Sequence, residues 1–319
     1  MYLECDEYTW NVDIDEQQFE TMFDNIDKPI IIRDFFKNTQ AYKSWTVDNI
    51  KEKFDTAQLE TSSYYENTSI WKNDRTTITM TDFIQYLKEN KKSEIYLAEV
   101  DLTELHINNQ LNSKVILDIN NPNYKKEENF QYDALYFGKN PYTNIHMHIK
   151  DNYILNQVFG KKTVYFCDYY ENDIKTWTVW DVIFDNYKYG LGYGKIYNEK
   201  NEMISFHEMD HSKMKNIYKV DLNPGDSVLI PPWWWHATKG YNMNCSITKV
   251  YSRKNLNYLI DKPFLLILVL FDFISDFTAE LCDSIHYILE NNYSPILFFA
   301  VFFILFLLKL RTSSNISLG

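Results

Sequence analysis

NPGDSVLIPPWWWHATKG, residues 223–240, holds a turn, a strand, a stop and a histidine in immediate succession. Pro224-Gly225-Asp226 has turn chemistry, and Val228, Leu229 and Ile230 read as a buried strand. Pro231 and Pro232 end that strand because proline cannot donate to a ladder, and Trp233 to Trp235 lead as an aromatic wall into His236. A histidine fixed in this way is placed to act as a ligand. Its partners are sought upstream, in TNIHMHIKDN, residues 143–152, where His146 and His148 stand two apart in a strand pattern. Residues i and i+2 of a strand share a face, so the two imidazoles would enter one cavity. That geometry suits a metal, although an isolated His-x-His on a strand also occurs as two ordinary polar residues. With His236 added, the set resembles a facial triad with open coordination positions.

Around these histidines strands predominate: FQYDALYFG (130–138), YILNQVFG (153–160), KKTVYFCDY (161–169), NIYKVDLNPGDSVLIP (216–231) and NCSITKVYS (244–252), separated by Gly, Pro, Asn and Asp turns. The opening differs. DEQQFETMFDNI places Phe19, Met22, Phe23 and Ile26 at helical spacing, and KPIIIRDFF follows as a short buried strand. SWTVDNIKEKF and TMTDFIQYLKEN read as capped helices, the second with Thr81 as its cap. The expected fold class is mainly β (α+β), a sandwich or barrel behind a helical preface.

Composition narrows the function. A chain of 319 residues, 45% hydrophobic, is able to bury a sizeable core. Its net charge of −12 argues against a surface that neutralises many phosphates. Cys5, Cys167, Cys245 and Cys282 lie far apart, which fits neither a disulfide framework nor a thiolate zinc site and favours a reducing compartment such as the cytosol. The first residues lack the apolar core of a secretory signal. Residues 293–308 carry no charge and precede Lys309 and Arg311, so a C-terminal transmembrane helix over 293–310 is expected; a buried terminal helix is the alternative. The shorter run from Pro263, interrupted by Asp272, is expected to pack on the domain or lie at the interface.

The elements quoted, in their order, resemble the JmjC and cupin-like family of iron and 2-oxoglutarate dependent oxygenases. KPIIIRDFF with SWTVDNIKEKF is similar to the family's N-terminal strand and Trp-led helix. LYFGKNPYTNIHMH resembles the strand, loop and threonine that precede the first metal histidine. QVFGKKTVYF resembles the next strand, and NPGDSVLIPPWWWH the Pro-Gly-Asp to Trp-Trp-His signature. The resemblance covers roughly residues 15–255 and implies a double-stranded β-helix (cupin, jelly-roll). It further implies Fe(II) held by His146 and His236, and 2-oxoglutarate as cosubstrate with Lys162 on its distal carboxylate. Thr143, Tyr96 and Asn152 match positions that bond that carboxylate or line the site. The implied substrates are protein side chains or tRNA, the acidic balance favouring protein, and a homodimer is compatible.

The departures carry as much information. Where the family has Asp or Glu two residues after the first histidine, this chain has His148, so the metal set becomes His146, His148 and His236. A neutral imidazole removes an anionic donor, which keeps two further readings open: a three-histidine metal cupin that does not use 2-oxoglutarate, and a fold retained for binding alone. The interval from His146 to Lys162 is one residue longer than usual, as a bulge would make it. Val250 or Tyr251 stands where the family often has a polar residue.

A competing motif is His207-Glu208-Met209-Asp210-His211, a formal H-E-x-x-H whose zinc chemistry requires a helix. Its flanks lack a long amphipathic pattern. The expected organisation is a JmjC/cupin-like domain over 1–258, with a helical part to about 95 and a β core over 96–258. A helical connection over 259–292, the anchor over 293–310 and a tail over 311–319 follow.

Overall fold

The computed structural model describes residues 2–64, 71–90, 95–122, 124, 128–148, 150–168, 174–176 and 194–253. The expected connection, anchor and tail beyond residue 258 lie outside them. Among the described residues no helix is long and apolar enough to cross a membrane.

The chain opens with β1 (Asp6–Thr9), α1 (Glu16–Asp24), β2 (Ile30–Arg33), α2 (Gln40–Ser44), α3 (Ile50–Lys53), β3 (Gln58–Tyr64), β4 (Trp71–Thr79) and α4 (Met80–Glu89). It continues through β5 (Ile95–Asp101), α5 (Leu102–Ile107), α6 (Ser113–Ile119), β6 (Phe130–Lys139), β7 (Tyr142–His146), β8 (Asp151–Asp168), β9 (Lys175–Thr176), β10 (Gly194–Tyr197) and β11 (Met203–Ile204). Two 3-10 turns then lead to β12 (Tyr218–Leu222), β13 (Ser227–Ile230) and β14 (Trp234–Ser252). The architecture is mainly β, and among the described residues the α-helices are short and lie before residue 120.

Local chemistry sets the helix ends. Asp15 and Gln18 form a reciprocal capping box at α1, whose Phe19 and Phe23 are buried one turn apart beside Ile30 and Ile32 of β2. Of the helix expected over SWTVDNIKEKF only α3 forms, and α2 precedes it, ending at Ser44. Thr39 caps α2, Trp45 takes extended backbone at its end, and Thr46 and Asn49 bond one another in a turn before α3. The cap of α4 is Thr79, whose hydroxyl accepts from the Asp82 N–H at 3.1 Å, so Thr81 lies inside the helix. Residues 1–95, expected as a helical part with one strand at KPIIIRDFF, contain that strand as β2 and also β1, β3 and β4.

Two long strands, β8 and β14, pair antiparallel over nearly their whole lengths and belong to both faces of the fold. The first half of β8 takes β13 on its other edge, and β2 and β1 extend that side. Its second half takes β12. β14 likewise pairs with β7 near its start and β6 near its end, and β5, β3 and β4 continue beyond β6. This exchange of partners along a shared pair builds a double-layered β core.

The switch falls at a bulge. Ser246 pairs with Gln157 and the next β14 residue, Cys245, pairs with Phe159, so Val158 is the extra residue on β8. The Gln157 side-chain amide closes the bulge on the carbonyls of Phe159 (2.8 Å) and Gly160 (3.2 Å). Gly160 follows at φ +76, and a Cβ there would collide with the Met243 carbonyl, so only glycine fits. An extra residue inverts the alternation of faces. Tyr153 and Leu155 line the interior before the bulge, and Lys162 lines it after, while Lys161 is exposed.

Candidate metal centre

His146 is the last residue of β7 and pairs directly with His236 on β14. His148 follows two residues later, outside the ladder. The approach to β14 holds it: Trp233, at φ +70, donates its N–H to the His148 carbonyl at 2.9 Å. A bulky side chain with left-handed backbone is strained, and here the strain accompanies a bond to the segment that carries a site histidine. Behind them Trp235 is fully buried and the Trp234 indole donates to the Asp27 carbonyl at 2.7 Å. The tryptophans thus fix the entry of β14 on which His236 depends.

The three imidazoles converge. Their ligand atoms all lie within 4.8 Å of one another, and ring centroids are 4.0 Å apart for His146 and His236, 4.8 Å for His148 and His236, and 5.3 Å for His146 and His148. Small torsional adjustments bring such nitrogens to the roughly 3 Å spacing that a shared ion demands. No other group of three candidate ligands occurs among the described residues.

Electrostatics keeps these rings neutral. Burial pushes the His146 imidazole down to about 4, partly opposed by the carbonyls of Asn144 and His236. Burial and then the neighbouring imidazoles hold His148 and His236 well below the ordinary value. His146 donates Nδ1–H to the Asn144 carbonyl at 2.9 Å, and His236 donates its own to the Trp234 carbonyl at 3.0 Å. A carbonyl only accepts, so on both rings Nδ1 carries the proton and Nε2 is the nitrogen with a lone pair to offer a metal. The His148 ring has no hydrogen bond among the described residues and instead stacks on Tyr153 at 3.5 Å. Three neutral nitrogens without a carboxylate suit a divalent transition ion.

The histidines line a small cavity of about 30 Å³, well below the volume of ordinary ligand sites. Lys162 and Thr143 line it, with Tyr136, Tyr153, Thr238 and Thr248. Lys162 is 2% exposed and makes no ion pair among the described residues; its nearest aromatic face, Tyr136, lies 5.7 Å from Nζ. Burial pushes its ammonium down to about 8. Tyr96 and Asn152 stand apart from the pocket. Tyr96 packs behind Tyr136 and against Gly138, and Asn152 donates to the Phe23 carbonyl at 3.3 Å, its Oδ1 having no hydrogen bond among the described residues. Tyr136, Thr238 and Thr248 were missed in the sequence. Thr238 was reachable, since it lies two residues beyond His236 on the same face; the other two depend on how β6 and β14 register.

The H-E-x-x-H motif forms no centre. It spans two 3-10 turns, Phe206–Glu208 and His211–Lys213, not a helix. His207 Nε2 bonds the Thr143 carbonyl at 3.3 Å. His211 spends Nε2 on the Phe206 carbonyl and Nδ1 on the Tyr2 hydroxyl, both at 2.9 Å.

A family model described as a cupin-like domain matches residues 16–257, most of the chain. No curated protein matches it.

Proposed function

The chain belongs to the cupin-like family, and on that premise we propose that it is an Fe(II) and 2-oxoglutarate dependent oxygenase that hydroxylates a protein side chain. The observation that carries this reading is Lys162, a buried ammonium without an ion pair among the described residues, lining the same pocket as three convergent imidazoles. An unpaired buried cation is costly, and an anionic ligand offsets that cost. A divalent ion beside it makes the need stronger, because the histidine set adds no negative charge. A dicarboxylate answers both positive centres.

His146, His148 and His236 would hold the ion, which with a 2-oxo acid supplies oxygen activation when bound. The chain's own residues bind and orient. Lys162 pairs with the distal carboxylate, and the hydroxyls of Thr143, Thr238 and Tyr136 are placed in the same pocket to donate to it. Leu155 and Ile230 give the pocket apolar walls that limit water. The net charge of −12 favours a protein over an RNA substrate.

His148 in place of a carboxylate favours a second reading, a three-histidine metal cupin that uses oxygen without 2-oxoglutarate. Aerobic incubation of iron-loaded full-length protein separates the two. Conversion of 2-oxoglutarate to succinate, lost in Lys162→Met, supports the first; oxygen uptake indifferent to 2-oxoglutarate supports the second.

A further inference from the structure

His146 and His236 are each aimed by a hydrogen bond to a backbone carbonyl, and His148 has no such bond among the described residues. Something else must aim it. Its ring lies over that of Tyr153 with centroids 3.5 Å apart and planes 14° from parallel. Two neutral rings favour offset or edge-on contacts at longer separations, so a close parallel pair is their least favoured arrangement. An aromatic face under a ring carrying positive charge is attractive. Coordination to a divalent ion draws electron density from an imidazole and gives it that character. The stack is therefore poorly suited to a free His148 and well suited to a liganded one.

Tyr153 is itself held. Its hydroxyl neighbours that of Tyr132, which donates to Glu99 Oε1 at 2.9 Å. Glu99 lies at φ +56, left-handed backbone that a glutamate rarely adopts, where β5 slips register against β6 between Leu97 and Val100. The irregularity brings an exposed carboxylate to the end of the tyrosine pair.

We propose that Tyr153 is a positioning residue for the third ligand, its ring replacing the hydrogen bond that aims the other two histidines. The inference rests on the three histidines holding a metal. Outer-shell partners of this kind are worth about 10- to 100-fold in metal affinity.

The test is Co(II) titration of full-length protein, followed by calorimetry and by the visible ligand-field spectrum, which reports the coordination geometry. Tyr153→Phe keeps the face and is expected to bind within about threefold of the wild type with the same spectrum. Tyr153→Leu is expected to bind at least about tenfold more weakly with an altered spectrum. Pentafluorophenylalanine at position 153 keeps the shape and reverses the charge of the face, so it separates stacking from folding should the leucine variant not fold; it is expected to bind about tenfold more weakly than Phe. Equal affinities and spectra for Phe and pentafluorophenylalanine overturn the proposal, as does a Phe variant as weak as Leu. If the wild type binds no cobalt, the metal reading itself falls and takes this inference with it; if it binds and every variant matches it, only the role of Tyr153 falls.

Discussion

Two regions of this protein carry clustered histidines, and only one forms a centre. At His207 and His211 the sequence spells a known zinc motif, but three ring nitrogens are committed to backbone carbonyls and to Tyr2. At His146, His148 and His236 the sequence spells a weaker pattern, and there two paired strands and the segment beyond β7 bring the three rings together. The difference teaches that spacing nominates ligands only together with the element that carries it. Residues i and i+4 share a face on a helix and not across two 3-10 turns, whereas residues on paired strands meet at cross-strand distance.

The largest expected effect breaks this comparison directly. His236→Ala should lower divalent metal affinity by at least about 100-fold, and His207→Ala should leave it within about twofold, as read by metal content after dialysis. Equal losses would mean that the second cluster shares the metal.

Lys162→Met comes next. It should abolish measurable 2-oxoglutarate binding, a loss of about 100-fold or more, while raising the apparent thermal midpoint of the ligand-free protein, because it replaces an unpaired buried charge by an apolar chain of similar length. A lowered midpoint would show that the ammonium has a stabilising partner.

The same lysine sets a pH dependence. Its folded pKa, about 8, lies below the ordinary value of 10.5, so between those values the unfolded chain binds more protons than the folded one. Stability should therefore rise with pH across that window, by up to about 3 kcal/mol from this group. Dicarboxylate affinity should move the other way, falling up to about tenfold per unit as pH climbs above 8 and the ammonium is lost. Calorimetry at pH 7, 8 and 9 checks the second trend; Lys162→Met should flatten the first, read as the thermal midpoint of the ligand-free protein against pH.

The smallest effect concerns the third ligand. His148→Asp supplies the missing negative charge and should tighten metal binding about tenfold in the absence of any anion. It should also weaken the coupling between metal and dicarboxylate, since less positive charge remains to be met.

Much of the centre was legible because it depends on local rules. Pro224 to Pro232 punctuate a buried strand, and the spacing of two nominated His146 and His148 together, although β7 ends at His146 and His148 enters the site from the segment beyond it. The longer interval before Lys162 signalled an extra residue, and the structure places a bulge at Val158. The resemblance nominated Lys162, but strand alternation alone does not choose between Lys161 and Lys162, because the bulge's exact position decides the parity, and that position depends on Gly160 meeting β14. The cap of α4 shifted from Thr81 to Thr79, since both threonines precede apolar residues at helical spacing and the hydrogen bond to Asp82 chooses between them. Tyr136 and Tyr153 were hidden among 25 tyrosines, and long-range register alone distinguishes them.

The most direct test is an anaerobic titration of Fe(II) into full-length protein with and without 2-oxoglutarate. Because binding is reciprocal, a pocket with a metal and an ammonium to neutralise should couple the two ligands. The expected result is one iron per chain, bound at least about tenfold more tightly with 2-oxoglutarate present. Iron that does not bind, or that binds with the same affinity in both titrations, would contradict the assignment.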